Sequence, residues 1–141
     1  MTTTRNMNFR VLLHWLPNVV AAIILLQTLW FKFSASPESV YIFSAIGAEP
    51  VGRIASGVVE LLAALLLLWP AFAWAGAALA LGTMLGAIAT HVGVIGIEVQ
   101  GDGGLLFTLA MVVAGASAWV LTRDRGIAMH FIQRFRGVAE K

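Results

Sequence analysis

Four apolar stretches constrain this chain most strongly, at approximately 11–31, 51–69, 71–95 and 104–121. Three of them contain no Asp, Glu, Lys or Arg, and the remaining one contains only Arg53 and Glu60. A helix needs about 20 apolar residues to cross roughly 30 Å of hydrocarbon. Since 60% of the 141 residues are hydrophobic and only 11% are charged, the chain has too few polar side chains to cover a water-soluble domain. The pattern therefore predicts an all-α integral membrane protein with four transmembrane helices.

The segments between these stretches are short and contain turn-forming residues. Ser36-Pro37 and Glu49-Pro50 bracket a loop, and Pro70 forces a tight turn between the second and third stretches. A loop rich in glycine and acidic residues, 96–103, precedes the fourth stretch. Because short connections place consecutive helices side by side and antiparallel, we expect an up-and-down four-helix bundle in a single domain.

Lys and Arg residues are unevenly distributed between the two sides of the membrane that this topology defines. One side holds seven of the nine, whereas the other holds only Lys32 and Arg53. Because cytoplasmic flanks retain basic residues during insertion, we predict that both termini are cytoplasmic. The seven residues are Arg5, Arg10, Arg123, Arg125, Arg134, Arg136 and Lys141.

Both ends of the chain carry patterns of their own. Arg5 and Arg10 before an apolar stretch resemble a signal peptide, but the stretch is longer than a signal-peptide core, so we interpret it as a retained first helix. In the basic tail, 122–141, apolar residues recur at helical spacing, which favours a short amphipathic helix at the membrane surface over a tail that only sets orientation. These apolar residues are Ile127, Phe131, Phe135 and Val138.

Small residues recur at four-residue spacing in the third and fourth stretches. Gly82 and Gly86 lie one turn apart, and Ala110, Ala114 and Ala118 follow the same spacing. Small residues on one face allow membrane helices to approach closely. We interpret these faces as contacts within the bundle, and a homodimer interface is the alternative.

Glu60 is the polar residue that demands an explanation, because an ionised carboxylate near the middle of a membrane span is costly and normally faces a partner or a cavity. Arg53 lies seven residues earlier on the same helical face, about 10 Å away along the axis. The carboxylate can serve either as a structural contact that fixes the helix register or as a functional group. The sequence leaves both explanations open.

Further polar residues are expected near the same end of the bundle, which the topology places on the outer side. Gln27 and Lys32 lie near the end of the first span, and His91 lies near the end of the third. Together with Arg53 and Glu60 they predict a polar pocket that could hold a ligand. Taken alone, Lys32 can reach the membrane surface from a helix end, and His91 can cap a helix C-terminus.

Several classes of chemistry are not indicated by the sequence. His14 lies near the inner end of the first span and His91 near the outer end of the third, so one haem cannot bridge them, and His130 in the tail cannot join His91. We predict no protein-bound metal. The chain has no cysteine, which excludes disulfides, thiol relays and iron–sulfur ligation by this chain. It has no phosphate-binding loop, nucleophile elbow or hydrolytic triad. A net charge of +2, with the basic residues at the membrane edges, does not favour nucleic-acid binding.

The order of these features resembles the DoxX-like family of small four-span bacterial membrane proteins. Lys32 closes the first span, Glu49-Pro50 precedes the second, and Gly57-Val58-Val59-Glu60 is followed by a leucine-rich run, 61–68. The resemblance implies a bacterial cytoplasmic membrane, pairing of Lys32 with Glu60, and an accessory role beside a membrane redox enzyme. It also implies a quinone or a lipid as the bound molecule. Arg53 lies outside the pattern, and the absence of cysteine excludes a thiol-based function.

Two functions are therefore expected from the sequence. The first is an accessory subunit without a catalytic centre of its own, presenting a quinone-sized or lipid-sized site. The second is a dimeric proton-coupled transporter in which Glu60 binds the proton, since small four-span chains can build such a site from one buried carboxylate per protomer. Co-purification of a redox partner would favour the first, and proton release on adding a cation would favour the second.

Overall fold

The computed structural model describes residues 3–139, and all of the secondary structure in this range is helical. The helices are α1, Thr3–Phe33; α2, Pro37–Ala45; α3, Val51–Leu67; α4, Ala73–Thr90; and α5, Leu105–Ala139. A π-helical turn, His91–Ile95, continues directly from α4. The all-α class predicted from the sequence is confirmed for the described residues.

Three of the helices are long and apolar enough to cross a membrane. The qualifying segments are Val11–Phe33, Ala73–Ile95 and Leu105–Arg134. The expected second span, which is not among these three, corresponds to α3, which has 17 residues and a length of about 26 Å. Large apolar side chains are exposed along all four of these helices, including Ile23, Leu62, Leu85 and Val112. The described chain therefore has the character of a membrane protein.

The short helix α2 lies where the sequence predicted only a loop. Ser36 precedes it and accepts a hydrogen bond from the Ser39 backbone N–H at 3.3 Å through its side chain. Pro37 occupies the first helical position, where the missing N–H has no intrahelical partner to lose. The Ser-Pro pair that marks the end of the first span is thus also the start of α2.

The segment expected to be the fourth span and the tail form one continuous helix, which differs from the expected boundary near Leu121. No proline follows this position, and Gly126 alone does not interrupt α5. The Phe131 ring packs edge-on against Phe72 at 6.0 Å and is tilted against Trp74 at 5.7 Å, so the tail helix contacts the turn before α4 and the start of α4. The side chains of Phe135 and Val138 lie outside the described set.

The four long helices form two sequential hairpins, α1 with α3 and α4 with α5, and these pack on each other through contacts of α3 with α4 and of α1 with α5. We call the end at which α3 and α5 begin the outer end, and the opposite end the inner end. The hairpins meet closely toward the inner end, where a Cβ on Gly76 would lie 2.5 Å from the Leu67 nitrogen. There Asn18 donates a hydrogen bond to the Leu67 carbonyl at 2.9 Å, and Arg123 donates to the His14 carbonyl. The buried core consists mainly of small residues, with Ala63, Ala64, Ala73, Ala77 and Ala80 all within it.

The small-residue faces predicted from the sequence are only partly at helix contacts. A Cβ on Gly82 or on Gly86 would meet nothing within 4 Å, and both residues are exposed. The interpretation of Gly82 and Gly86 as contacts within the bundle is therefore wrong, because no neighbouring helix approaches either glycine closely. Ala110 and Ala114 are buried as expected, whereas Ala118 is exposed.

Candidate ligand-binding site

A cavity of about 540 Å³ lies between the two hairpins toward the outer end. Its walls come from α1, α3, α4 and α5, and α2 contributes Glu38, Ser39 and Ile42 to one side. Most of the remaining wall is apolar, including Leu25, Met84 and Leu109. The volume falls in the range that is typical of pockets for small organic ligands.

The cavity follows from the way the hairpins pack. On α4, Gly76 contacts the backbone of α3, and Ala80, one turn later on the same face, is fully buried. Beyond Ala80, Thr83 and Ala87 of this face line the cavity. On α3, Leu67 lies at the contact, whereas Glu60, about two turns toward the outer end, lines the cavity. The hairpins therefore separate from the inner end toward the outer end.

An ion pair between Lys32 and Glu60 lies in the cavity wall. The Lys32 Nζ atom is 2.5 Å from Glu60 Oε2, and the side chains are 16% and 4% exposed. Thr28, one turn before Lys32 on α1, lies with its hydroxyl 3.2 Å from the same oxygen and 2.8 Å from the Leu25 carbonyl. The second carboxylate oxygen, Oε1, accepts no hydrogen bond from a described residue. Glu60 is thus charge-balanced and still has an oxygen that could accept a hydrogen bond.

Arg53 does not reach Glu60, although the sequence placed the two on one helical face. Its guanidinium donates to both carboxylate oxygens of Glu49 at 2.8–3.0 Å, and also to the Lys32 backbone carbonyl. That carbonyl belongs to the last turn of α1, where carbonyl groups lack intrahelical partners. Arg53 therefore caps α1 and joins it to the start of α3, and it does not line the cavity.

His91 is buried at the start of the π-helical turn and lines the cavity. Its Nδ1 lies 2.8 Å from the Gly96 carbonyl oxygen, and its ring packs edge-on against Phe107 at 5.6 Å. Because a carbonyl can only accept, Nδ1 must carry the hydrogen, and in the neutral ring Nε2 is then an acceptor. His91 can accordingly offer a ligand a hydrogen-bond acceptor in a fixed orientation.

Asp102, in the loop before α5, also lines the cavity. Burial raises its pKa, but backbone N–H groups of Leu106, Val99 and Gly104 donate to the carboxylate at 2.8–2.9 Å, and His91 lies nearby. Together these groups outweigh the burial and hold the pKa below its usual value. These hydrogen bonds therefore hold the loop before α5 in place. The negative charge of Asp102 also interacts favourably with the N-terminal end of α5.

Four of the five candidate residues from the sequence line this one cavity: Gln27, Lys32, Glu60 and His91. Gln27 is exposed and belongs to the rim, with Phe31 and Gly86. Sequence reasoning did not select Thr28 or Glu38. Thr28 could have been found from its position one turn before Lys32, whereas Glu38 could not, because α2 was not expected.

The described residues contain no group of three or more His, Asp or Glu side chains that could hold a metal ion. No protein-family model, characterised protein or solved structure matches the chain. The chemistry of the site must therefore be argued from its own groups. These are a mostly apolar cavity, a buried ion pair and a histidine that presents an acceptor.

Proposed function

We propose that this chain is a DoxX-like membrane protein that binds an amphiphile the size of a quinone or a lipid in its outer cavity. In this proposal it acts as an accessory subunit of a redox system in the cytoplasmic membrane of a bacterium. The observation that carries the proposal is the ion pair of Lys32 and Glu60 in the wall of a cavity of about 540 Å³. An apolar cavity with a few polar groups suits a molecule with an apolar body and a polar head.

The proposal places four helices across the membrane, with α3 as the second span. At about 26 Å, α3 is slightly shorter than a typical hydrocarbon layer, a mismatch that local thinning of the bilayer can accommodate at a modest cost. The cavity rim includes exposed Gly86, which lies nine residues, or about 14 Å, from the end of the π-helical turn. At that depth the rim faces hydrocarbon, so the ligand would enter from the lipid.

The ion pair favours ligand binding over the proton-coupled transport that the sequence left as the alternative. A carboxylate that carries a transported proton must alternate between charged and neutral forms. Glu60 lies 2.5 Å from the ammonium group of Lys32, and adding a proton to the carboxylate would remove this ion pair. Transport would thus require the Lys32 contact to break in each cycle, whereas binding of a head group does not.

A matched pair of glycine variants tests the proposed site. Gly86→Leu should place a side chain on the cavity rim and weaken binding of a decyl-chain quinone to the purified protein on the order of tenfold or more, without lowering stability. Gly82→Leu adds the same side chain one turn away, outside the cavity lining, and should bind like the parent. Binding can be measured in mild detergent with a radiolabelled quinone or lipid, and mass spectrometry should recover such a molecule from the native membrane preparation. Equal binding by both variants would show that the cavity is not the site.

The membrane topology predicts where the tail can be reached. Both termini are expected in the cytoplasm, because the tail after Thr122 carries five of the nine Lys and Arg residues. A protease site inserted after Arg136 should be cleaved in inverted membrane vesicles and protected in intact spheroplasts. A site inserted in the loop after Gly96 should show the opposite accessibility and serves as the control. Cleavage of the tail from outside would contradict the orientation and would place the cavity on the cytoplasmic side.

A further inference from the structure

Among the described residues that line the cavity, negatively charged side chains outnumber positively charged ones. Lys32 is the only Lys or Arg among the described lining residues, and its ammonium already contacts Glu60. The Asp102 carboxylate accepts three backbone N–H groups, which stabilise its charge without a cation. Glu38, half-buried in the first turn of α2, forms no ion pair with a described residue. The cavity therefore carries negative charge without a matching cation.

Neighbouring groups do not supply the missing positive charge. Arg53 is held by Glu49 and by the Lys32 carbonyl, and it does not line the cavity. His91 donates its Nδ1 hydrogen to Gly96, which in the neutral ring leaves an acceptor as its remaining polar atom.

We infer that Glu38 makes the cavity select against anionic amphiphiles, so that the ligand carries a head group without a negative charge. The inference rests on the proposed function, since it requires that the cavity binds an amphiphile. An anionic head would lie in the same cavity as a carboxylate that has no counter-cation, in surroundings that screen repulsion less than water does. An uncharged head with a hydroxyl or carbonyl group could instead accept a hydrogen bond from Lys32, and a hydroxyl could donate to Glu60 Oε1 or His91 Nε2. Hydroquinones and glycerides share this chemistry.

Dodecanamide and dodecanoate test this selectivity, because they have nearly the same shape and differ in charge. Their affinities should be measured by displacement of a radiolabelled neutral probe from the purified full-length protein, at a mildly alkaline pH that keeps the fatty acid ionised. The parent protein should bind the amide on the order of tenfold more tightly than the carboxylate. Glu38→Gln should close most of this gap by strengthening dodecanoate binding much more than it changes dodecanamide binding. A decyl hydroquinone and a monoacylglycerol, added as further competitors, distinguish the two sources of a neutral head group.

The control is Glu98→Gln, which removes an exposed acid from the loop between α4 and α5 outside the cavity lining. It should keep the selectivity of the parent, and so should Glu38→Asp, which keeps the charge. Equal affinity of the parent for the two probes would overturn the inference while leaving the proposed function intact. An unchanged gap in a folded Glu38→Gln variant, or an equal effect of Glu98→Gln, would overturn it as well. If neither probe nor any neutral competitor binds, the proposed function fails, and this inference fails with it.

Discussion

Replacing Glu60 by leucine is expected to destabilise the protein by about 3–5 kcal/mol, because it leaves the Lys32 ammonium without its partner in the cavity wall. Lys32 is 16% exposed, and its long side chain can turn toward the outer membrane surface, which favours the lower end of this range. Glu60→Gln should cost less, since the amide oxygen can still accept a hydrogen bond from Lys32 and from Thr28. Thermal unfolding in one detergent, followed by loss of helical signal, measures both variants.

The double variant Lys32→Leu/Glu60→Leu is the decisive control for this prediction. Removing both charges leaves no unpaired ion, so the double variant should be more stable than Glu60→Leu alone. If the double variant is no more stable than Glu60→Leu, the two side chains do not act as a pair. A Glu60→Leu variant as stable as the parent would show that the carboxylate faces neither Lys32 nor the cavity.

The same variants separate a structural from a functional role for Glu60. If the carboxylate only fixes the helix register, Glu60→Gln should bind a decyl-chain hydroquinone like the parent once the small loss of stability is taken into account. In the proposed function, Oε1 accepts a hydrogen bond from a hydroxyl of such a ligand, and an amide in its place can present an N–H donor instead. Binding should then fall on the order of tenfold while the fold is retained. The comparison of stability with binding therefore distinguishes the two explanations that the sequence left open.

The long helices could be predicted because apolar stretches without charged residues have few structural alternatives. The start of α3 at Val51 agrees with the prediction, since Pro50 marks it in the sequence. The inner boundary of α5 could not be placed, because hydropathy falls after Leu121 while helix propensity continues. A change of polarity was interpreted as the end of a helix, although the helix continues. Only the packing of Phe131 against Phe72 and Trp74 shows where the tail lies.

The candidate site could be predicted in part, because a charged residue inside an apolar span is costly and therefore needs a partner. This argument selected Glu60, but it could not choose between Lys32 and Arg53 as the partner. Arg53 lies about 10 Å from Glu60 along the helix axis, while Glu49 is one turn away from it and closer. Lys32 lies 28 residues before Glu60 in the chain, and only the packing of α1 against α3 brings the two side chains together. The cavity itself depends on the divergence of two hairpins, which no local pattern encodes.

Which glycine lies at a helix contact is a further property that spacing does not determine. Gly82 and Gly86 have the familiar four-residue spacing, yet both face open space. Gly76 has no glycine partner at that spacing and nevertheless lies against the α3 backbone. A Cβ there would lie 2.5 Å from the Leu67 nitrogen, 2.7 Å from the Ala63 oxygen and 2.8 Å from the Leu66 carbonyl carbon. These are backbone atoms, so the contact cannot be relieved by turning a side chain.

Substitution of Gly76 is therefore expected to have the second large effect on stability. Gly76→Ala should destabilise the protein by about 1–3 kcal/mol, because α4 must move away from α3 to admit a methyl group. Gly76→Leu should cost more and should also disturb the cavity, since this contact determines where the hairpins begin to diverge. Gly82→Ala is the matched control, and its open surroundings predict no loss and a gain of up to about 1 kcal/mol from higher helix propensity. Thermal unfolding of the three variants in the same detergent measures these effects. Equal stability of Gly76→Ala and Gly82→Ala would mean that α3 and α4 do not meet at Gly76, and the explanation of the cavity by hairpin divergence would then be wrong.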